Sequence, residues 1–282
     1  MPGHPVQVWW AGLADAHAGL LALLDPVERR RYEATVDRAG RGRFLVGCAL
    51  SRLVLGELLG LPPADVPLRR VCPRCGGPHG KVRLALPPSG PPSERPGLDF
   101  SVAHSGAVIG VAVCATGRVG LDVEEADVGL DVDSAARVAL ADSELAALYG
   151  RPAAERKPAF LRTWTRKEAV LKALGVGLGA PLRGLELSAP EQPPTVLAWP
   201  EQLARLEQPD ARPDMSLTDL LVDEVHPAAV AVAGAAGAGA GADGAVGATE
   251  APGGVRITVR DGSAALAEYV RGATASDIAP GA

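Results

Sequence analysis

Phe160-Leu161-Arg162-Thr163-Trp164-Thr165-Arg166-Lys167-Glu168-Ala169-Val170-Leu171-Lys172-Ala173-Leu174-Gly175 is the stretch around which the rest of the chain is organised. Strong helix formers fill it and a glycine ends it, which predicts one helix. At about 100° per residue, Phe160, Trp164 and Leu171 share a stripe that faces a core. Glu168 and Lys172 lie four apart on the shoulder of that stripe and are surface neighbours. A carboxylate and an ammonium beside a buried tryptophan suit a site for metal and phosphate. Taken alone, they equally describe a surface ion pair of little energetic worth.

Upstream, Arg118-Val119-Gly120-Leu121-Asp122-Val123-Glu124 reads as a strand, with Asp122 and Glu124 on one face. Two adjacent carboxylates repel unless a cation or proton lies between them, and hard oxygen ligands at this spacing suit Mg²⁺. The competing reading is an exposed strand end, made plausible by the acids that follow (Glu125, Asp127, Asp131, Asp133). Before it, Leu98 to Gly106 predicts a strand running into a polar tip, and Ala107 to Cys114 a buried strand of small and β-branched residues. At that tip His104, Ser105 and backbone amides can donate to a phosphate, although a histidine near a strand end is as readily structural.

The first quarter of the chain is basic. Val6 to Trp10 predicts a strand, and Asp25-Pro26 a helix with an aspartate cap and proline in the first helical position. That helix carries Arg29, Arg30 and Arg31. A second helix is predicted from Phe44 to Leu59, with Arg43 just before it and Arg52 among apolar neighbours. Cys72-Pro73-Arg74-Cys75 followed by His79 has the spacing of half a zinc site, but a fourth ligand is not evident nearby. A glycine-rich turn at Gly76-Gly77, leading past Lys81 into a strand from Val82 to Leu86, is the simpler expectation. Pro87 to Pro96 reads as a surface loop. Asp142 caps a short helix, Ser143 to Tyr149, and Leu220 to Val222 and Ala228 to Ala233 are apolar runs.

With 282 residues the chain can bury a sizeable core. The net charge is −5, with a basic excess confined to residues 1–110. That asymmetry suits an anionic ligand gripped by the first half and argues against a general nucleic-acid surface. Four cysteines do not make a disulfide scaffold at this length, and neither a secretory signal nor a membrane-length apolar run is visible. The expectation is a cytoplasmic protein with no membrane partner. Gly234 to Gly254 is nearly all alanine and glycine and reads as a flexible linker. Beyond it, Val255 to Val259 predicts a strand and Ala264 to Val270 a short helix, with no role assigned.

In their order, the basic helix pair, Gly80-Lys81, Phe100-Ser101-Val102-Ala103-His104-Ser105-Gly106, Val119-Gly120-Leu121-Asp122-Val123-Glu124 and Trp164 to Gly175 resemble the 4′-phosphopantetheinyl transferases. The resemblance spans roughly residues 5 to 235 and is to the monomeric, surfactin-synthetase-activating type that serves peptide and polyketide synthases. It implies an α+β fold, a pseudo-dimer of two similar halves with coenzyme A between them. Residues 1–115 and 116–234 would be the halves, 235–254 the linker and 255–282 the tail. It further implies Mg²⁺ held by Asp122, Glu124 and Glu168, with Lys172 on the pyrophosphate and Glu168 as base. Arg31, Arg43 and His104 would lie near the 3′-phosphate and adenosine, and Lys81 near the adenine. The acceptor would be a serine of an apo acyl or peptidyl carrier protein, with 3′,5′-ADP released. Ala103, Val82 and Glu28 depart from the family pattern, where serine or threonine, proline and lysine are common. A non-catalytic coenzyme A binder of the same fold, or a Mg²⁺-dependent phosphohydrolase using these carboxylates, are the alternatives; neither is favoured, because all four central residues are present.

Overall fold

The computed structural model describes residues 4–70, 77, 80–85, 97–177, 180–200, 215–234, 249–250 and 255–276. Its organising feature is a unit used twice. In the first half, β1 (His4–Gly12) leads through α1 (Pro26–Ala34) to the long helix α2 (Arg38–Leu59). A small hairpin follows, β2 (Leu68–Arg70) with β3 (Val82–Leu84), then the hairpin β4 (Asp99–Ser105) and β5 (Val108–Cys114). In the second half, β6 (Arg118–Val123) leads through α3 (Val132–Ala139) and α4 (Asp142–Tyr149) to α5 (Ala153–Leu174). A small hairpin of β7 (Glu186–Leu187) and β8 (Val196–Ala198) follows, then β9 (Met215–Val222) and β10 (His226–Ala233).

The strand orders repeat too: β1-β5-β4 in one sheet and β6-β10-β9 in the other. Both long helices run 22 residues and end on a left-handed glycine, Gly60 at φ 64° and Gly175 at φ 74°. This is an α+β architecture with two similar halves. Each sheet carries its long helix on one face. One core lies beneath α2 around Leu45, Leu50, Leu55 and Phe100, and another beneath α5 around Phe160, Val170, Leu171 and Ala231. A third core joins the halves through Val6, Val8, Ala112, Leu121, Val230 and Ile257.

Ile257 belongs to an addition outside the repeat. The strands β11 (Thr249–Glu250) and β12 (Val255–Asp261) extend the first sheet, with β12 parallel to β1, pairing Val6 with Ile257 and Val8 with Val259. The helix α6 (Gly262–Ser276) then packs on α2. The segment read as a tail is therefore part of the first sheet and its core. The Ala/Gly stretch lies mostly outside the described residues, as do Cys72, Cys75, His79, Pro87 to Pro96 and Leu86.

Three helix boundaries differ from expectation. α2 begins at Arg38 rather than Phe44, because Asp37 caps it through the Gly40 N–H and its first turns pack closely on the chain before them. A Cβ on Gly42 would stand 2.6 Å from Leu13 Cδ1. α5 begins at Ala153 and accommodates Pro158 in its second turn, at the cost of one backbone bond. In α4, Asp142 is already helical, and Glu144 takes the Ala141 N–H at 2.7 Å. The Asp25 cap and Pro26 start are as predicted, with Asp25 accepting from Val27 and Glu28 at 2.7 and 2.8 Å, and Glu28 completes a capping box by accepting the Asp25 N–H at 3.1 Å.

Candidate active site

α5 is held in place by two buried cations next to Glu168. Arg166 is 0% exposed and spends its guanidinium on Asp219 (2.6 and 2.8 Å) and on the carbonyls of Ser188, Ala189, Pro190 and Gln192. Lys167, also 0% exposed, binds Glu144 and the carbonyls of Ala139 and Leu182. Its pKa is lowered by burial. Both are structural, which leaves Glu168 and Lys172 as the helix's contribution to the cleft.

The approach of α5 to β6 depends on Gly120. A Cβ there would lie 1.9 Å from Ala169 O and 2.4 Å from Ala173 N, both backbone atoms of α5. With no side chain in the way, Asp122 on the same strand face reaches the helix. Lys172 Nζ stands 2.7 Å from Asp122 Oδ1. Asp122 Oδ2 and Glu168 Oε1 are buried with no hydrogen-bond partner. Burial pushes the Asp122 carboxyl up to about 6 against the pull of Lys172. Glu168 is pushed up to about 7, by burial first and then by the negative charges of Asp122 and Glu124. Glu124 is bound at both oxygens, to Trp164 Nε1 at 3.0 Å and to the Ser105 hydroxyl at 2.7 Å.

Two orphaned carboxylate oxygens that repel one another are what a divalent cation would satisfy, and the donors are the hard oxygens Mg²⁺ prefers. The fit is carried by Asp122 and Glu168, with Glu124 alongside. Among the described residues, no three His, Cys, Asp or Glu side chains stand as a ready-made metal cage.

These groups close one end of a cleft of about 600 Å³ between the halves. It gathers Arg31, Arg43, Lys81, His104, Glu168 and Lys172, six residues expected from the sequence to share a site. Asp122, on β6, and Glu124, the residue after it ends, do not line the cleft and reach it through Lys172 and the α5 side chains. His104 lies on β4, and its pKa is lowered by burial and by the positive charges of Lys172 and Arg43. Arg43 donates to Gly106 O at 3.1 Å, and Arg31 lies over the Phe44 ring at 5.4 Å. Lys81 presents its stem to the cleft but commits its ammonium to Asp99 and to Val119 O at 2.8 Å. Arg52 is not in the cleft. It is 1% exposed and binds Glu28 (2.7 Å), Asp25 (2.8 Å) and three carbonyls of the turn at 63–66. Glu28, where the family pattern has lysine, is thereby neutralised.

Arg70 was not anticipated. It lies in the same cleft wall, with its pKa lowered by burial and by the positive charge of Arg31. The only sequence signal was its place in a basic pair, Arg69-Arg70, on a strand too short for a pattern.

A cleft with cations along one wall and a carboxylate–lysine group at its end is suited to a phosphorylated substrate and to phosphoryl chemistry. Comparison with known proteins narrows this. The sequence model of the 4′-phosphopantetheinyl transferase superfamily matches residues 118–215. The 4′-phosphopantetheinyl transferase HetI of Nostoc sp. is 32% identical over 215 residues, spanning 76% of this chain and 81% of that protein. A phosphopantetheinyl transferase of Thraustochytrium sp. is 27% identical over 250 residues, spanning 82% of this chain and 80% of that protein. Among solved structures, the holo-[acyl-carrier-protein] synthase of Thermotoga maritima aligns with a TM-score of 0.30 and 23% identity, covering 42% of this chain and 62% of that one. The chain belongs to the 4′-phosphopantetheinyl transferase superfamily and is an enzyme of that class. Among the described residues, no helix is long and apolar enough to cross a membrane.

Proposed function

We propose that this enzyme transfers the 4′-phosphopantetheine of coenzyme A to a serine of apo acyl or peptidyl carrier proteins, in a Mg²⁺-dependent reaction that releases 3′,5′-ADP. The observation that carries the reading is the cleft itself. It brings Arg31 of α1, Arg43 of α2 and the His104 imidazole of β4 onto one wall and sets the orphaned oxygens of Asp122 and Glu168 beside Lys172.

The cationic wall receives the anionic end of coenzyme A, with Arg31, Arg43 and His104 about the 3′-phosphate and adenosine. Asp122, Glu124 and Glu168 are the residues that would hold Mg²⁺, which when bound neutralises charge on the pyrophosphate. Lys172 contacts the same pyrophosphate and steadies the leaving phosphate. The carrier serine Oγ bonds to the β-phosphorus while the bond from that phosphorus to the bridging oxygen breaks. The serine proton passes to Glu168, the carboxylate nearest the Lys172 end of the cleft. The bridging oxygen departs with 3′,5′-ADP, stabilised by the Lys172 ammonium. Phosphoryl transfer needs positioning and charge neutralisation above all, and this arrangement provides both. One chain supplies both halves of the cleft, so the working unit is a monomer, in the cytoplasm.

The test is intact-mass measurement of two apo carrier proteins after incubation with the enzyme, coenzyme A and Mg²⁺. A gain of one phosphopantetheine, abolished by EDTA, is expected. Coenzyme A binding without any gain identifies a non-catalytic binder, and 3′,5′-ADP formed without a carrier identifies a hydrolase.

A further inference from the structure

The β4–β5 turn carries Ser105, one of the polar groups that the sequence places at a phosphate-binding tip. Its hydroxyl is directed elsewhere. It accepts the Glu125 N–H at 3.0 Å and stands 2.7 Å from Glu124 Oε2. A backbone N–H can only donate and a carboxylate can only accept, so the hydroxyl proton lies on the line to Glu124. On the other oxygen, Trp164 Nε1 donates at 3.0 Å. Glu124 is thus held between a donor from the first half and a donor from α5.

Ser105 is the last rung of a ladder joining the halves. Asp99, Ser101 and Ser105 lie on one face of β4 and accept the N–H groups of Val119 (2.8 Å), Leu121 (3.0 Å) and Glu125 (3.0 Å). Each partner lies 20 residues further along the chain. These N–H groups belong to the edge of β6, and of the segment that continues it, that β10 does not cover; the alternate N–H of Glu124 goes to Pro227 O at 2.9 Å. A free sheet edge in a buried seam must be satisfied, and β4 does so with side chains. Position 103 of the ladder is Ala103, whose methyl group offers no acceptor to the β6 edge. What β4 presents at 105 therefore governs how Glu124 is bonded.

We propose that Ser105 is a positioning residue, which orients the Glu124 carboxylate for the transfer site and does not bind the substrate's phosphate. The proposal rests on the transferase reading above. A hydroxyl that fixes a carboxylate acts on what the carboxylate holds, so its loss appears in cation affinity and turnover, not in the grip on coenzyme A.

The experiment compares the full chain with Ser105→Ala and Ser105→Thr. It measures Mn²⁺ binding to the free protein by electron paramagnetic resonance, and kcat and KM for coenzyme A by carrier mass. Expected for Ser105→Ala are Mn²⁺ affinity and kcat each lower by about tenfold or more, with KM for coenzyme A within about twofold of wild type. Ser105→Thr returns both to within about threefold of wild type. If Ser105→Ala does not fold, Ser105→Thr against Ser105→Val makes the same comparison, since the two differ only in the hydroxyl. Raised KM with unchanged kcat and Mn²⁺ affinity would make Ser105 a phosphate ligand and overturn the proposal, as would a Ser105→Ala variant indistinguishable from wild type. A wild-type chain that transfers nothing refutes the transferase reading, while the Mn²⁺ comparison still judges the role of Ser105.

Discussion

Lys172 Nζ lies 2.7 Å from Asp122 Oδ1, a contact between the last turn of α5 and the C-terminal end of β6 that spans 50 residues of sequence. Asp122 is 6% exposed, and Lys172 is the cation that opposes its burial. The same ammonium helps hold the His104 pKa down. One lysine thus bears on titratable groups of both halves.

Replacing Lys172 with methionine is expected to lower turnover by about 10² or more, since a preorganised charge on the pyrophosphate is lost. It also raises the Asp122 pKa further above its already elevated value of about 6, and raises that of His104. NMR titration of the His104 imidazole and of the Asp122 carboxyl in the variant reads both shifts. An unmoved His104 would place Lys172 outside the phosphate site.

Glu168→Gln is expected to cut turnover by about 10² to 10⁴, the usual worth of a general base. Its effect on stability has the opposite sign. The folded-state pKa of Glu168 is raised to about 7 from 4.5, so the folded protein keeps this proton where the unfolded chain has lost it. The resulting stability is present below pH 4.5 and is lost as pH rises through about 7. Without metal, the glutamine variant should exceed wild type by roughly 1–2 kcal/mol at pH 8 and match it near pH 4. Urea unfolding in EDTA at the two pH values measures the difference.

Arg52→Ala removes a buried cation from two carboxylates and three carbonyls. Leaving Glu28 and Asp25 without it should cost about 3–5 kcal/mol of stability. Turnover below the lowered melting temperature should change little, because Arg52 does not face the cleft. A preserved melting temperature with weakened coenzyme A binding would show the reverse role.

Gly120→Ala places a methyl group against the Ala169 carbonyl and the Ala173 amide. Backbone cannot swing aside as a side chain can, so α5 must lift from β6. A stability loss of about 3 kcal/mol is expected, at the upper end of ordinary overpacking. Turnover should fall with it, since Glu168 and Lys172 ride on that helix. Thermal unfolding and steady-state rates together test this.

A chain ending at Gly234 lacks β12 and α6, and so exposes the edge of β1 and the face of α2 that α6 covers. Buried Val6 and Val8 lose their neighbours Val255 and Ile257. We expect a poorly soluble product without a cooperative thermal transition. A truncated chain that melts cooperatively would make β12 and α6 an ornament of the first sheet.

Much of this was local and therefore visible in residue order. The helix through Trp164 needed only propensity and period, the Asp25 cap only its own two neighbours, and the facing of Asp122 and Glu124 only the alternation of a strand. The resemblance carried by Trp164 to Gly175 and by the Asp122 strand was enough to name a family, which the comparison with HetI bears out. Other features look alike in sequence and separate only on folding. Arg52, Arg166 and Lys167 are basic residues like those of the cleft, yet each is buried among carbonyls and carboxylates contributed by other elements and turns. Lys81 was expected near a ligand, and its ammonium is engaged with Asp99 and Val119 across the seam. Arg70 gave no pattern because three residues of strand hold no period.

The sequence by itself determined the elements, their faces and the chemistry available, since these follow from backbone sterics and the spacing of side chains within one turn or one strand. The tertiary structure alone decided which charges are spent on the fold and which remain for a substrate. It also decided that the final strand returns to lie beside β1, and that Ser105 bonds Glu124 rather than the open cleft. Those outcomes depend on desolvation and on partners up to hundreds of residues away, and no local rule encodes either.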